Sequence, residues 1–182
     1  MARTFTALTA AALASLAALA VAAPGASAGA CPGAQSSPSD LGAGDAVDVT
    51  LCLLNDARGD HGLRPMRLNA RLSFAARHHS RDMVARGYFS HTGPGGVTFD
   101  RRLRRTGYVN GARSWTIGEN IAWGSGSLAT PSAIVRAWMH SPGHRRNILD
   151  GSFDEIGIGI ALGTPVGRSN GGTYTTDFGG RD

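Results

Sequence analysis

The apolar residues change their period along the chain, and that change limits the folds open to it. Val47, Leu51, Leu54 and Ala57 recur at helical spacing, which predicts a first helix from about Asp45 to His61, stopped by Gly62. Leu72, Ala76, His79 and Met83 line the inner face of a second helix, capped by Asn69, running through about Ala85 and ended by Gly87. Thr98 opens a short helix that ends at Gly107. Thr130-Pro131 opens a helix carrying Ile134, Val135, Trp138 and Met139, and Ser141-Pro142 opens another through Ile148. Phe89 to Gly96 reads as a loop with a Gly-Pro-Gly-Gly turn, and Gly118 to Gly126 as a Gly-rich connection. Only then does the period fall to two. Ile156, Ile158 and Ile160 alternate with Gly157 and Gly159 in a strand from Glu155 to Leu162, and Gly172 to Phe178 reads as a final strand. Helices first and strands last, without a βαβ rhythm, point to an α+β sandwich with an antiparallel sheet.

The N-terminus follows other rules. Arg3 supplies a positive start, Leu8 to Ala23 is apolar, and Ala26-Ser27-Ala28 is a small-residue cleavage site, so residues 1–28 read as a signal peptide. The apolar run falls short of the roughly 20 residues of a membrane span, and no later segment is long and apolar enough to serve. Residues 29–44, rich in Gly, Ser, Pro and Ala, read as an extended arm, and 45–182 as one domain. An exported chain with two cysteines, Cys31 and Cys52, suggests one disulfide between the arm and the first helix. A lipid-modified Cys31 would need a Leu-like residue three positions earlier, where Ala28 stands, and would leave Cys52 unpaired.

Charge excludes some partners. All 18 basic residues are Arg, and the formal net charge of +5 is too weak to argue for nucleic acid. The densest basic stretch, Arg101-Arg102-Leu103-Arg104-Arg105, reads as a solvated helix face, with attraction to anionic envelope polymers as its rival reading. A soluble monomer is expected.

Six histidines are present, His61, His78, His79, His91, His140 and His144, but only two glutamates, Glu119 and Glu155. His144 falls in the first turn of the helix opened by Ser141-Pro142, where the helix dipole disfavours protonation, and a neutral imidazole suits metal binding or proton exchange. His91 and Glu119 fall in loops beside apolar segments. The spacing of His91, Glu119 and His144 matches no short metal signature, so the residues alone leave a metal set and a neighbouring-loop cap equally open. His79 shares the apolar face of its helix and reads as a hydrogen-bonded core histidine, whereas His78 reads as solvated. Glu155 reads as structural.

Five motifs in order then resemble a known family. They are His79-Ser80-x-Asp82-Met83, Phe89-Ser90-His91, Gly118-Glu119-Asn120-Ile121-Ala122, Ala137-Trp138-Met139-x-Ser141-x-Gly143-His144-Arg145-x-Asn147-Ile148-Leu149, and Glu155-Ile156-Gly157-Ile158-Gly159. Together they are similar to the bacterial branch of the CAP superfamily, the cysteine-rich secretory, antigen 5 and pathogenesis-related proteins, also called SCP-like. The resemblance covers about residues 45–180. It implies a three-layer α-β-α sandwich with a central antiparallel sheet. It also implies a cleft where His91, Glu119 and His144 converge to hold a divalent metal such as zinc, with Asn120, Ser141 and Asn147 lining it. Eukaryotic members carry a second Glu three residues after the Trp; here that position is Ser141, so the metal affinity implied is low. The alternative arrangement is a polar pin, with Glu119 bonded to the imidazoles and no metal.

Three functions compete. A secreted binding module would hold a lipid, peptide, glycan or other small molecule in the cleft. A zinc-dependent hydrolase would polarise a carbonyl, although no nucleophile elbow or H-E-x-x-H helix is present. An adhesion module would use the arginine face on envelope polymer. The binding module is the leading expectation, and a non-enzyme is favoured.

Overall fold

The computed structural model describes residues 31–182; the expected signal peptide lies outside the described residues. Helices α1 (Pro38–Leu41) and α2 (Ala43–Gly59) come first, then the short strand β1 (Arg67–Leu68) and α3 (Ala70–Arg86). Helix α4 (Phe99–Arg105), strand β2 (Trp115–Ser125), a 3-10 turn (Gly126–Ala129) and helices α5 (Pro131–His140) and α6 (Pro142–Ile148) follow. Strands β3 (Glu155–Leu162) and β4 (Gly171–Arg181) close the chain. The sheet order is β1-β3-β4-β2, so β2 is an edge strand. β4 runs antiparallel to both neighbours, while β1 pairs parallel with β3, which makes the sheet mixed where a purely antiparallel one was expected. Among the described residues no helix is long and apolar enough to cross a membrane.

Period two on the strands sorts the layers. Ile156, Ile158 and Ile160 of β3 and Tyr174 and Phe178 of β4 enter one core with Leu54 of α2, Ile134, Val135 and Trp138 of α5 and Ile148 of α6. The opposite face of the sheet meets α3, and at the centre of that contact β3 offers Gly157 and Gly159, flanked by Glu155 and Ala161. A Cβ on Gly157 would lie 2.0 Å from the Leu72 carbonyl carbon, and one on Gly159 2.1 Å from the Arg77 amide nitrogen. Helix and strand therefore touch backbone to backbone. Ser80 Oγ seals the contact by bonding the Gly159 carbonyl at 2.9 Å and Thr175 Oγ1 at 2.8 Å.

Two readings need correction. Residues 29–44 are not simply an extended arm. Ser37 accepts the Asp40 amide, Pro38 occupies the first turn, and the resulting α1 buries Pro38. The segment 118–126 is not a connection but most of β2. Its glycines lower strand propensity yet have a packing reason: a Cβ on Gly124 would lie 2.1 Å from the Leu128 carbonyl oxygen.

The end of α2 is held by Arg58, which is 1% exposed. Its guanidinium donates to the carbonyls of Arg64, Ile148, Asp150 and Phe153 at 2.7–2.9 Å. Burial pushes its pKa down, with Asp150 opposing.

The first described residue is fastened to α2 by the disulfide Cys31–Cys52, with Cα atoms 5.8 Å apart and 21 residues of separation. Closing a loop of this size stabilises by about 3 kcal/mol in the chain-entropy account. Cys52→Ser is expected to lower the melting temperature and expose a reactive Cys31 thiol. Alkylation of both cysteines in the native exported protein would show instead that the bridge does not form there.

Candidate functional site

The cleft lies over the free edge of β2, where the loop 88–97 on the α3 side approaches α6 on the other. Glu119 and Asn120 are consecutive on this strand and so point to opposite faces of the sheet. Glu119, whose side chain is 1% exposed, accepts the Nδ1–H of His91 on Oε1 at 2.7 Å and pairs through Oε2 with Arg102 of α4. Asn120, fully buried, donates from Nδ2 to the His144 carbonyl at 3.1 Å. The Gly-Glu-Asn step of the sequence thus ties one histidine segment to each side of the sheet.

The exposed carbonyls of an edge strand need partners. Here Asn147 Nδ2 donates to the Glu119 carbonyl at 3.2 Å and to Asn120 Oδ1 at 2.8 Å, and Trp138 Nε1 donates to the Ile121 carbonyl at 3.2 Å. Asn147 therefore braces the cleft from below. Ser141 precedes α6 but its hydroxyl makes no capping bond, contrary to the expected cap. It lies with His144, Phe89, Trp123 and Ala137 around a hollow of about 260 Å³.

Arg102 is the functional residue that sequence reasoning missed. It sits inside an arginine run that reads as solvated, and for Arg101, Arg104 and Arg105 that reading holds. Arg102 turns inward, its side chain 12% exposed, and donates from Nη1 to the carbonyls of His91 at 2.9 Å and Val97 at 3.2 Å. One guanidinium thereby fixes both the loop and the carboxylate. The only sequence signal for it is the need of buried Glu119 for a cation.

Electrostatics follow from this packing. Burial pushes the Glu119 carboxyl up, but the His91 bond and Arg102 overcome it, leaving the group below its ordinary value. The His144 ring is pushed down by burial, then by the charge of His91, which favours the neutral imidazole for reasons other than the helix dipole. His79 is buried and also pushed down by burial; its Nε2–H donates to the Ser90 carbonyl at 2.9 Å, anchoring the loop as a core histidine should. His78 is exposed against Phe74, with ring centroids 4.4 Å apart. Glu155 is structural, accepting from Asn69, Tyr108 and Arg181.

The donor set is poorly matched to a divalent metal. Both Glu119 oxygens are engaged, one of them by a guanidinium that would repel an approaching cation. Among the described residues, the three-ligand group whose atoms all lie within 4.8 Å of one another is Cys31, Cys52 and Asp56, and its sulfurs are spent in the disulfide. His91, Glu119 and His144 share a cleft but do not present three ligand atoms within 4.8 Å of one another, and with Glu119 engaged by His91 and Arg102 the two imidazoles are the groups left to meet an ion. The polar-pin alternative fits better, with Arg102 in place of the second imidazole.

Comparison with known proteins agrees with this architecture. The CAP family, described as the cysteine-rich secretory protein family, matches residues 51–176. The uncharacterized protein YkwD of Bacillus subtilis (strain 168) is 40% identical over 125 residues, 68% of this chain and 45% of that protein. The uncharacterized membrane protein YlbC of the same organism is 32% identical over 110 residues, 60% of this chain and 30% of that protein. The chain thus spans less than half the length of these curated relatives. Among solved structures, an extracellular protein containing a SCP domain from Bacillus anthracis str. Ames aligns with a TM-score of 0.62 at 29% identity, over 75% of this chain and 40% of that one. An outer surface protein from Borrelia burgdorferi aligns with a TM-score of 0.61 at 19% identity, over 76% and 94% of the two chains, and shares the fold.

Removing one partner of a buried ion pair costs about 3–5 kcal/mol. Arg102→Gln should therefore destabilise the domain by that order in urea unfolding and loosen the loop 88–97 to hydrogen exchange. A stability equal to wild type would show that the pair is not what holds the cleft.

Proposed function

The chain belongs to the CAP, or cysteine-rich secretory protein, family, and from that premise we propose that it is an extracellular binding domain whose groove beside β2 holds a single-chain anionic amphiphile. The observation that carries this reading is a pair of adjoining hollows with largely apolar walls. The 260 Å³ hollow at His144 and a second hollow of about 490 Å³ share Ala122, Trp123 and Ala137. Leu128, 66% exposed, and Ile134 extend the apolar wall at the far end, and Phe89, 45% exposed, does so at the near end. No acidic side chain lines either hollow; His144 stands at one end and Arg136 and His140 at the other. Apolar walls with a few convergent polar groups are the usual form of a ligand site, and the Arg136 guanidinium at one end favours a negative head group.

The extracellular setting is supported by the leader read from sequence and by the extracellular B. anthracis protein of the same fold. The hydrolase reading has less behind it. The side-chain and carbonyl bonds of His91 and His144 run to Glu119, Arg102 and Asn120, and neither imidazole is bonded to a hydroxyl that could serve as nucleophile.

Titration of the exported protein with a fluorescent long-chain fatty acid tests the groove. Wild type should bind, Ala137→Trp should weaken binding at least about tenfold by filling the shared segment, since lost burial of even a few methylenes is worth more than about 1.4 kcal/mol, and Arg81→Ala on the outer face of α3 should change little. Equal binding by Ala137→Trp would remove the groove from the argument.

Zinc calorimetry at neutral pH tests the cluster separately. With Glu119 occupied by His91 and Arg102, wild type and the His91→Ala/His144→Ala variant should give the same heat. A one-to-one heat lost in the variant would restore a metal to the cleft.

A further inference from the structure

Asp177 lies in the middle of β4 and is fully buried, and neither of its carboxylate oxygens has a hydrogen-bond donor. The register sets it directly opposite Glu119 on β2 and Gly157 on β3. Residues directly opposite in an antiparallel pair project from the same face, with Cβ atoms about 5 Å apart. Two carboxyl groups therefore stand side by side beneath α3, and the β3 residue facing Asp177, Gly157, brings no side chain between them and the helix. The charged and titratable groups around them come from three neighbouring elements and from the loop 88–97, whose His91 bonds Glu119. β2 supplies Glu119, α4 supplies Arg102, and α3 supplies His79, which is buried and senses both. The nearby Ser80 hydroxyl is bonded to the Thr175 hydroxyl and to the Gly159 carbonyl. Arg102 brings one positive charge, already directed at Glu119, the His91 carbonyl and the Val97 carbonyl, and its buried Nε has no acceptor.

One guanidinium cannot neutralise two buried carboxylates. An ionised Asp177 would be a desolvated anion with no donor beside a second anion, an arrangement strongly disfavoured in a dry interior. As a neutral acid the same group becomes a donor, and the carboxylate facing it across the strand pair is Glu119. We propose that Asp177 is held as a neutral carboxylic acid donating its proton to Glu119, so that the two form a buried acid pair with a single negative charge, and that Asp177 is a positioning residue for His91 through Glu119. Three donors then converge on one carboxylate: His91 Nδ1–H, the Arg102 guanidinium and the Asp177 hydroxyl. The carboxylate has lone pairs for all of them. Glu119 and Arg102 cancel, so no excess negative charge sits behind the cleft. Burial first, and then the charge of Glu119, push the Asp177 carboxyl well above the ordinary carboxylate range, against a smaller opposing pull from Arg102.

The sign of the pH dependence follows from that direction. A carboxyl whose folded pKa is raised contributes no penalty below its unfolded value, about 4, and an increasing one as pH climbs from there towards the folded value. Asp177→Asn keeps the shape and keeps a donor towards Glu119 but does not titrate. Thermal unfolding of the exported chain should give equal melting temperatures for wild type and Asp177→Asn near pH 4, and a higher one for Asp177→Asn at pH 8. Asp177→Leu, which has no donor, should lower the melting temperature at both values. It should also release His91 from its Nδ1–H tautomer in nitrogen NMR, whereas Asp177→Asn retains that tautomer. A loss of stability in Asp177→Asn at pH 8 would identify Asp177 as an ionised partner of Arg102 and overturn the proposal. The infrared spectrum of wild type in heavy water at pH 7 gives a second reading that needs no folded variant. A protonated carboxyl band is expected there, and its absence would equally overturn the assignment.

Discussion

The backbone contact between α3 and β3 is the constraint on which the rest of the structure depends. Gly157 and Gly159 let the helix settle onto the strand, since any Cβ there would overlap Leu72, Ala76 or Arg77 backbone. At that depth, Ser80 reaches the Gly159 carbonyl and Thr175, and His79 reaches the Ser90 carbonyl. The loop 88–97 is thereby delivered to the edge of the sheet, with His91 over Glu119. The same closeness excludes water from the space above Asp177. A larger residue at either glycine would lift α3, and overpacking of this sort costs about 1–3 kcal/mol before any effect on the cleft.

The cleft is held by polar groups that answer one another across the edge of the sheet. β2 presents Glu119 to one side and Asn120 to the other, and each takes hold of a histidine segment. Arg102 then joins the loop to the carboxylate, and Asn147 joins α6 to the strand. A buried ion pair of this kind is weak evidence for stability but a good device for specifying one arrangement, because any other packing strands a charge. It also leaves the exposed part of the cleft, His91 Nε2 and the largely apolar hollows past His144, free of structural duty.

The sequence made the helices legible because each carries its own start signal and an apolar stripe. Asn69, Thr130-Pro131 and Ser141-Pro142 mark helix starts that the structure reproduces, and Ile156, Ile158 and Ile160 mark β3. β2 was illegible because Gly118 and Gly124 dilute its strand pattern, and their purpose, making room for Asn147, Phe153 and the Leu128 backbone, exists only in three dimensions. β1 was illegible because two residues carry no period. His91, Glu119 and His144 could be singled out by family resemblance, but not the cation that pairs with Glu119. Arg102 differs from its neighbours in the run only by the direction in which α4 turns it. Asp177 is hidden for a similar reason: its isolation follows from strand register and not from any local pattern.

Arg58 carries an implication for the order in which the chain folds. Three of its four bonds reach carbonyls 90, 92 and 95 residues further on. α2 can form early from its own residues, but its C-terminal corner cannot close until the segment 148–153 has docked. Until then a guanidinium intended for a dry site stays hydrated and holds that corner open. Long-range closures of this kind are slow, so the corner should be among the last parts to lose water. The disulfide at Cys52, near the middle of α2, spans a much shorter loop, since both its cysteines belong to the first third of the chain. One helix is thus fastened at two points of very different reach, covalently to a residue 21 positions earlier and by Arg58 to carbonyls 90 to 95 positions later.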